Sequence, residues 1–527
     1  MMLMKKIFYV IPLIALAFSF ASCQDEIAAD QKSVISISLE GQPDADLSSL
    51  QADVEGISYN ICIETDCEYE VALSGALARQ WITLGERKYD ADKGCDVLPV
   101  VVAPIENVFE ERSAVIYISA DGEADPQYVT IRQGYDLFRH DVSLKIKGFK
   151  TRYFVAGEKL ELVADDPNES EFLKSNGLTV ECDFVVPEDP QALVEYYNEN
   201  HYADCDLLPS DMYSISVTPS ADGRKVKMVL SVDQKKVKSQ NREKPFVLPI
   251  KGIIEPGVYE TETIFVTVPT YTDDVSAYEN YSLKPQYVVN LNGYTINSDG
   301  LIGRNQLLIY NVSTGNDKAV LYCPGGGYAG TSGDESKIEH LLGTNTTIAT
   351  LLYRLPCRQW QGRYEYTVED AANALAVLDE NSAEWGQYRK IGVSGRSAGG
   401  HLAGITAAYN KDIVDFQILL YPVITMEPGK THAGSTNNFL GPNPSQSLVD
   451  TWSVHKLVDE DTPRAFVAYS TNDSVVPQKW NGAVMRDALF RLSNSDRHYV
   501  AVYDYGGHST TSWLDLNDKL HGWMSQF

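Results

Sequence analysis

The chain of 527 residues carries 72 acidic against 44 basic side chains, a net charge of -28, with 44% hydrophobic and 22% charged residues. Such a field repels phosphate backbones and excludes nucleic acid as an expected partner, and the composition is that of a folded chain rather than a disordered one. The length exceeds one ordinary core and implies about three or four domains.

The first predicted element is a signal. Lys5 and Lys6 precede an apolar run from Ile7 to Phe20, too short for a comfortable membrane span. It ends at Phe20-Ala21-Ser22-Cys23, followed by Gln24-Asp25-Glu26. This resembles a bacterial lipoprotein signal, with Phe20 where Leu is usual, and the acidic residues resemble the surface-export signal of Bacteroidetes lipoproteins. The resemblance implies a signal peptide over 1–22, lipidation at Cys23, a linker over 23–33, and an exported chain held on the outer membrane, facing outward. Linked acyl chains would supply the membrane contact.

Residues 34–136 read as β. Val34-Ile-Ser-Ile-Ser-Leu39 alternates apolar and polar residues, as a half-buried strand does. Further strands are expected at Ala114-Val-Ile-Tyr-Ile-Ser119 and Tyr128-Val-Thr-Ile-Arg132. With Trp81-Ile-Thr-Leu84, these segments resemble the BACON domain, a small β-sandwich attached to Bacteroidetes glycan-degrading enzymes. A second β-sandwich is expected over 140–270, with strands at Lys225-Val-Lys-Met-Val-Leu-Ser-Val232 and Ile264-Phe-Val-Thr-Val268. It looks like a module common in Bacteroidetes surface lipoproteins. Either module is a spacer or a glycan binder; fold alone does not decide. The polar, Tyr-rich stretch 271–295 reads as a linker. Beyond Cys23, seven cysteines remain: Cys62, Cys67, Cys95, Cys182, Cys205, Cys323 and Cys357. Cys62 with Cys67 or Cys95, and Cys182 with Cys205, are candidate bridges. No spacing forms a metal-ligand cluster, so neither metal nor cofactor is expected.

From 296 to 527 the period changes. Lys318-Ala-Val-Leu-Tyr-Cys323, Thr347-Ile-Ala-Thr-Leu-Leu-Tyr353 and Lys390-Ile-Gly-Val-Ser394 are short apolar strands, and 368–381 and 398–409 have helical spacing. Strands alternating with helices predict a mostly parallel sheet with helices on both faces. The expected architecture is therefore two all-β sandwich domains followed by an α/β domain.

The chemistry lies in that last region. Gly395-Arg396-Ser397-Ala398-Gly399 falls between a predicted strand and a predicted helix, where a sharp turn exposes the serine hydroxyl. Cys323-Pro-Gly-Gly-Gly-Tyr328 follows another strand, and consecutive glycines let amides converge on one point. Gly326 and Gly327 with Ala398 are the candidate oxyanion donors. Asp473 and His508 follow later strands in the order Ser, acid, His, which makes Ser397 the candidate nucleophile, His508 the base and Asp473 its orienter. His401 reads as a packing residue, His432 as part of an insertion over the site, and His340, His498 and His521 have no motif context.

Together with Tyr353-Arg-Leu-Pro356, Leu420-Tyr-Pro-Val-Ile-Thr-Met426, Thr431-His432 and Gly434-Ser435, these motifs are similar to the acetyl-esterase and acetylxylan-esterase branch of α/β hydrolases. Two departures stand out: Arg396 where Phe is common, and Asn472 where a second Asp is common. The resemblance implies an α/β-hydrolase domain that removes small acyl groups, acetyl foremost, from a polysaccharide or oligosaccharide. Tyr328, Arg354 and Trp480 are candidate substrate contacts, with a structural role the equal alternative for each. The alternatives are a bulkier-acyl, feruloyl-type esterase, a glycan-binding lipoprotein with an inactive hydrolase domain, and a peptidase.

Overall fold

The computed structural model describes residues 34–527 except 76, 109, 121–124, 136–152, 167, 169–170, 202, 220–224, 255–258, 297–301, 332–336 and 357–363. The signal, Cys23, the 23–33 linker and Cys357 lie outside the described residues. The chain forms two compact units, Met1–Leu137 and Phe138–Phe527.

The first unit is β-rich. One sheet runs Ser36–Leu39, Ile57–Glu64, Cys95–Val102, Ile82–Leu84, with Lys88–Asp90 also paired to Cys95–Val102; the other runs Leu50–Ala52, Gln127–Gln133, Arg112–Ser119, Glu70–Leu73. Alternation puts Ala114, Ile116 and Ile118 into one core with Ile61, Leu98 and Val100 of the other sheet, while Tyr117 points outward. The candidate bridges are not formed: all six described cysteines are free thiols. Cys62 and Cys95 do lie within thiol hydrogen-bond reach, and burial with that contact pushes the Cys95 thiol up to about 11.

In the second unit, the β-rich part combines a six-stranded and a three-stranded sheet with a helix, Pro190–His201. It joins the α/β part directly. Tyr197 donates from its hydroxyl to Asn292 Oδ1 at 2.8 Å, and Lys238 Nζ donates to Asn381 Oδ1 at 2.7 Å.

The α/β part is built on nine strands: β1 (Thr270–Thr272), β2 (Tyr287–Ile296), β3 (Ile302–Tyr310), β4 (Lys318–Cys323), β5 (Thr346–Leu352), β6 (Lys390–Arg396), β7 (Val414–Leu420), β8 (Arg464–Ser470) and β9 (Tyr499–Tyr503). Their order is β1-β2-β3-β5-β4-β6-β7-β8-β9. Pairing is antiparallel as far as β3 with β5 and parallel from there on. The expected linker over 271–295 is thus corrected, because it contains all but the last residue of β2 and part of β1. Its Val288, Val289 and Leu291 are fully buried, and its buried Asn290 accepts from Gln306 Nε2 at 2.6 Å. A strand that hides its polar residues in long-range hydrogen bonds looks like a polar connector in the sequence.

Five helices matter here: α1 (Tyr364–Glu380), α2 (Ala398–Tyr409), α3 (Ala433–Leu440), α4 (Gly482–Leu489) and α5 (Leu516–Met524). In β4, Ala319, Leu321 and Cys323 join the core with α1, α2 and α4, while Val320 and Tyr322 join the core with α5. Both faces of the sheet are covered, which is why its parallel strands are continuous apolar runs.

Candidate active site

The register of the sheet brings the site together. Cys323, the last residue of β4, pairs with Gly395 on β6, so the glycine loop and the serine turn leave the same edge side by side. Ser397 takes the turn with φ 53° and ψ -123°. This strained conformation costs about 1–3 kcal/mol and persists only where surroundings enforce it. Here they do: Ser397 N–H donates to the Leu420 carbonyl at 3.1 Å, and its own carbonyl accepts from Val423 N–H at 2.9 Å. The flanking glycines are needed for space, not for φ. A Cβ on Gly395 would stand 2.1 Å from the Gly399 carbonyl oxygen, and one on Gly399 would stand 2.1 Å from that of Cys323. Gly399→Ala is therefore expected to lose about 3 kcal/mol or more of stability, read by thermal or urea unfolding. An unchanged midpoint would show that the turn relaxes freely.

Asp473 lies in the loop after β8 and His508 in the loop after β9. His508 Nε2 is 2.9 Å from Ser397 Oγ, and His508 Nδ1 is 2.7 Å from Asp473 Oδ2. The other carboxylate oxygen accepts from the backbone N–H groups of Val475 and Val476, both at 2.9 Å. Burial pushes the Asp473 carboxyl up, but the hydrogen bond from His508 and those two amides outweigh it and hold it below the usual aspartate range. The buried carboxylate can thus pin the tautomer with Nδ1–H, leaving Nε2 to accept from the serine hydroxyl.

The glycine loop lies against this trio. A Cβ on Gly325 would meet the Arg396 carbonyl oxygen at 3.0 Å and Ser397 Cβ at 3.4 Å. Gly326 and Gly327 have φ of 136° and 65°, conformations that favour glycine. Ala398 opens α2, so its N–H is one of the unpaired helix-start donors. Gly326, Gly327, Ser397 and His508 all line one open cavity of about 830 Å³. Its walls include Ser509, Thr510, Thr511 and Asn517.

Two of the three candidate substrate contacts are corrected by burial, and the third stands away from the cavity. Tyr328 is fully buried, and its hydroxyl is 2.7 Å from His401 Nδ1. His401 Nε2 is 2.7 Å from the Trp452 carbonyl, which can only accept, so Nδ1 accepts from the tyrosine. Burial lowers His401 to about 4 and keeps it neutral. Arg354 is turned inward onto α1, where Nη2 meets Asp370 Oδ1 at 2.6 Å and Glu369 Oε2 at 3.0 Å. Arg354→Ala should cost about 3–5 kcal/mol by stranding buried carboxylates. Urea unfolding checks this, and a loss below about 1 kcal/mol would contradict it. Trp480 is exposed under Lys430 and Lys479 and is not part of the cavity wall.

Among the cavity-lining residues not singled out as contacts are His340, Arg396 and His432. Arg396 Nη2 donates to His340 Nδ1 at 3.3 Å, leaving His340 Nε2–H for Ser394 Oγ at 3.2 Å. Burial and the adjacent guanidinium hold His340 well below the usual histidine range, hence neutral. The Arg396 departure from the family pattern was the signal for that pair. His432 carried only the Thr-His-x-Gly-Ser spacing.

Residues 320–508 match a family described by the alpha/beta hydrolase fold. The chain is 28% identical over 264 residues to endo-1,4-beta-xylanase B of Butyrivibrio fibrisolvens, covering 46% of this chain and 38% of that one. It is 26% identical over 227 residues to an acetylxylan esterase of Xylanibacter ruminicola, covering 41% of this chain and 46% of that one. The matches therefore span less than half the length of either relative. The crystal structure of an acetyl ester-xyloside bifunctional hydrolase from Caldicellulosiruptor lactoaceticus aligns with 25% identity and a TM-score of 0.38, over 42% of this chain and 88% of that one. The C-terminal region is an α/β-hydrolase domain, and its relatives support a carboxylic ester hydrolase.

Proposed function

We propose that this chain is a serine esterase releasing small acyl groups, acetyl foremost, from a glycan. The observation that carries the reading is the unbroken line from Ser397 Oγ through both nitrogens of His508 to the buried Asp473, opening on a cavity. Ser397 attacks the ester carbonyl while His508 Nε2 takes the hydroxyl proton. The amides of Gly326, Gly327 and Ala398 receive the oxyanion, and His508 returns the proton to the leaving alcohol. Water then repeats the sequence on the acyl-enzyme, and Asp473 stabilises the imidazolium throughout.

Support for a glycan comes from the hydroxyl-bearing wall of Ser509, Thr510 and Thr511 and from the names of the two relatives, a xylanase and an acetylxylan esterase. A sugar ester needs a polar wall on its alcohol side. Lipid attachment at Cys23 and display on the outer membrane fit a polymer too large to import, and they belong to the same proposal.

The test is release of free acid from acetylated and feruloylated glycans by the full chain. Acetate release in clear excess over ferulate is the expected result. The cavity volume gives the feruloyl reading its one specific support, so a dominant ferulate signal would replace acetyl by a bulkier acyl group.

A further inference from the structure

His432 precedes α3 and caps it: its Nδ1 accepts the Ser435 backbone N–H at 3.2 Å and is 3.0 Å from Ser435 Oγ. A ring nitrogen that accepts from an amide carries no proton, so the neutral ring is the Nε2–H tautomer. Burial and the neighbouring His508 lower its pKa, which keeps the ring neutral. Among the described residues nothing accepts from Nε2. The ring is half-buried in the cavity wall, against the candidate oxyanion loop: a Cβ on Gly327 would meet His432 Cε1 at 3.2 Å. Asn438, also on α3, donates from Nδ2 to the Gly327 carbonyl at 2.9 Å and ties the helix to that loop. A donor of fixed tautomer therefore stands in the cavity wall beside the candidate oxyanion loop.

We infer that His432 Nε2–H is a specificity-determining donor to the alcohol portion of the substrate, a sugar oxygen next to the acylated position. The inference rests on the esterase reading above and on the chemistry of an acetyl ester. The acetyl methyl accepts no hydrogen bond, and the carbonyl oxygen is served by the loop and helix amides. Only the oxygens of the alcohol remain. An alcohol lacking such an oxygen leaves the imidazole N–H to water and gains nothing from it, so the residue favours sugar esters over simple ones.

Two variants separate this role from capping. Asparagine and serine are strong helix caps and keep an oxygen for the Ser435 amide, but neither carries the Nε2–H. His432→Asn and His432→Ser should therefore keep the melting temperature of the parent. On an acetylated xylo-oligosaccharide their kcat/KM should fall about tenfold, the order that one hydrogen bond supplies. On p-nitrophenyl acetate, whose alcohol has no oxygen next to the ester, the fall should stay under about threefold. An equal loss on both substrates, or none on either, overturns the inference. A parent enzyme that turns over p-nitrophenyl acetate no faster than its Ser397→Ala variant would instead remove the esterase reading, a result distinct from any His432 outcome.

Discussion

Ser397→Ala is expected to lower kcat for p-nitrophenyl acetate by ~10⁶-fold, the scale seen when a hydroxyl nucleophile is removed from a unit of this kind. The size follows from what remains. Without Oγ no acyl-enzyme can form, and His508 has no proton to take. The amides of Gly326, Gly327 and Ala398 can still polarise a bound ester, which leaves a residual rate about 10³–10⁴ above water. The fold should be untouched. Alanine has the same Cβ, so the turn at φ 53° is neither relieved nor worsened, and the hydroxyl's hydrogen bond to His508 Nε2 faces an open cavity where water replaces it. Single-turnover kinetics with matched melting curves check both halves. Retention of more than about one per cent of the parental rate would show that ester cleavage proceeds elsewhere.

The candidate site was legible in the sequence to the extent that it depends on strand ends. The serine turn, the glycine loop, Asp473 and His508 each follow a short apolar strand, and in a parallel sheet all such loops emerge at one edge. Four separate positions are thereby brought together by topology alone, with no knowledge of side-chain packing. The chain order of the trio added a second constraint that chance seldom meets.

Side-chain direction was not legible. Arg354 follows β5 at the correct edge, but its guanidinium turns inward to meet Asp370, 16 residues further along. Tyr328 ends the glycine loop and turns inward to His401, 73 residues away. Neither partner is marked by local spacing, and a charged or aromatic residue beside a motif reads as a contact whether it faces the cavity or the core. Long-range partners likewise hid β2, whose Asn292 is bonded to Tyr197, 95 residues earlier. His432 illustrates the converse. Its cap is local and could be read from Thr-His-x-Gly-Ser, whereas its place against Gly327 depends on how α3 lies over the loop.

Asp473→Asn should cost ~10⁴-fold in kcat, and the geometry says why. One carboxylate oxygen accepts from two backbone amides, Val475 and Val476, a position only an oxygen can hold. The asparagine must therefore place its oxygen there and its NH₂ where Oδ2 now meets His508 Nδ1 at 2.7 Å. An NH₂ can only donate, so Nδ1 becomes the acceptor and the ring proton moves to Nε2, pointing at Ser397 Oγ. The imidazole then has no lone pair for the serine proton, although every heavy atom has kept its place. Gln478 Nε2, which donates to the same Oδ2 at 3.3 Å, is left facing a second donor, so a modest loss of stability accompanies the kinetic one. The parental carboxyl is held below the usual aspartate value, so its stabilisation is fully present above the unfolded pKa of about 3.9 and is lost only as pH falls through the lower folded value. Between about pH 5 and pH 8 the parental carboxylate therefore stays ionised, so protonation of Asp473 contributes nothing to any change of rate across that window. A deficit below about tenfold throughout that window would mean that the ring is oriented by something other than Asp473.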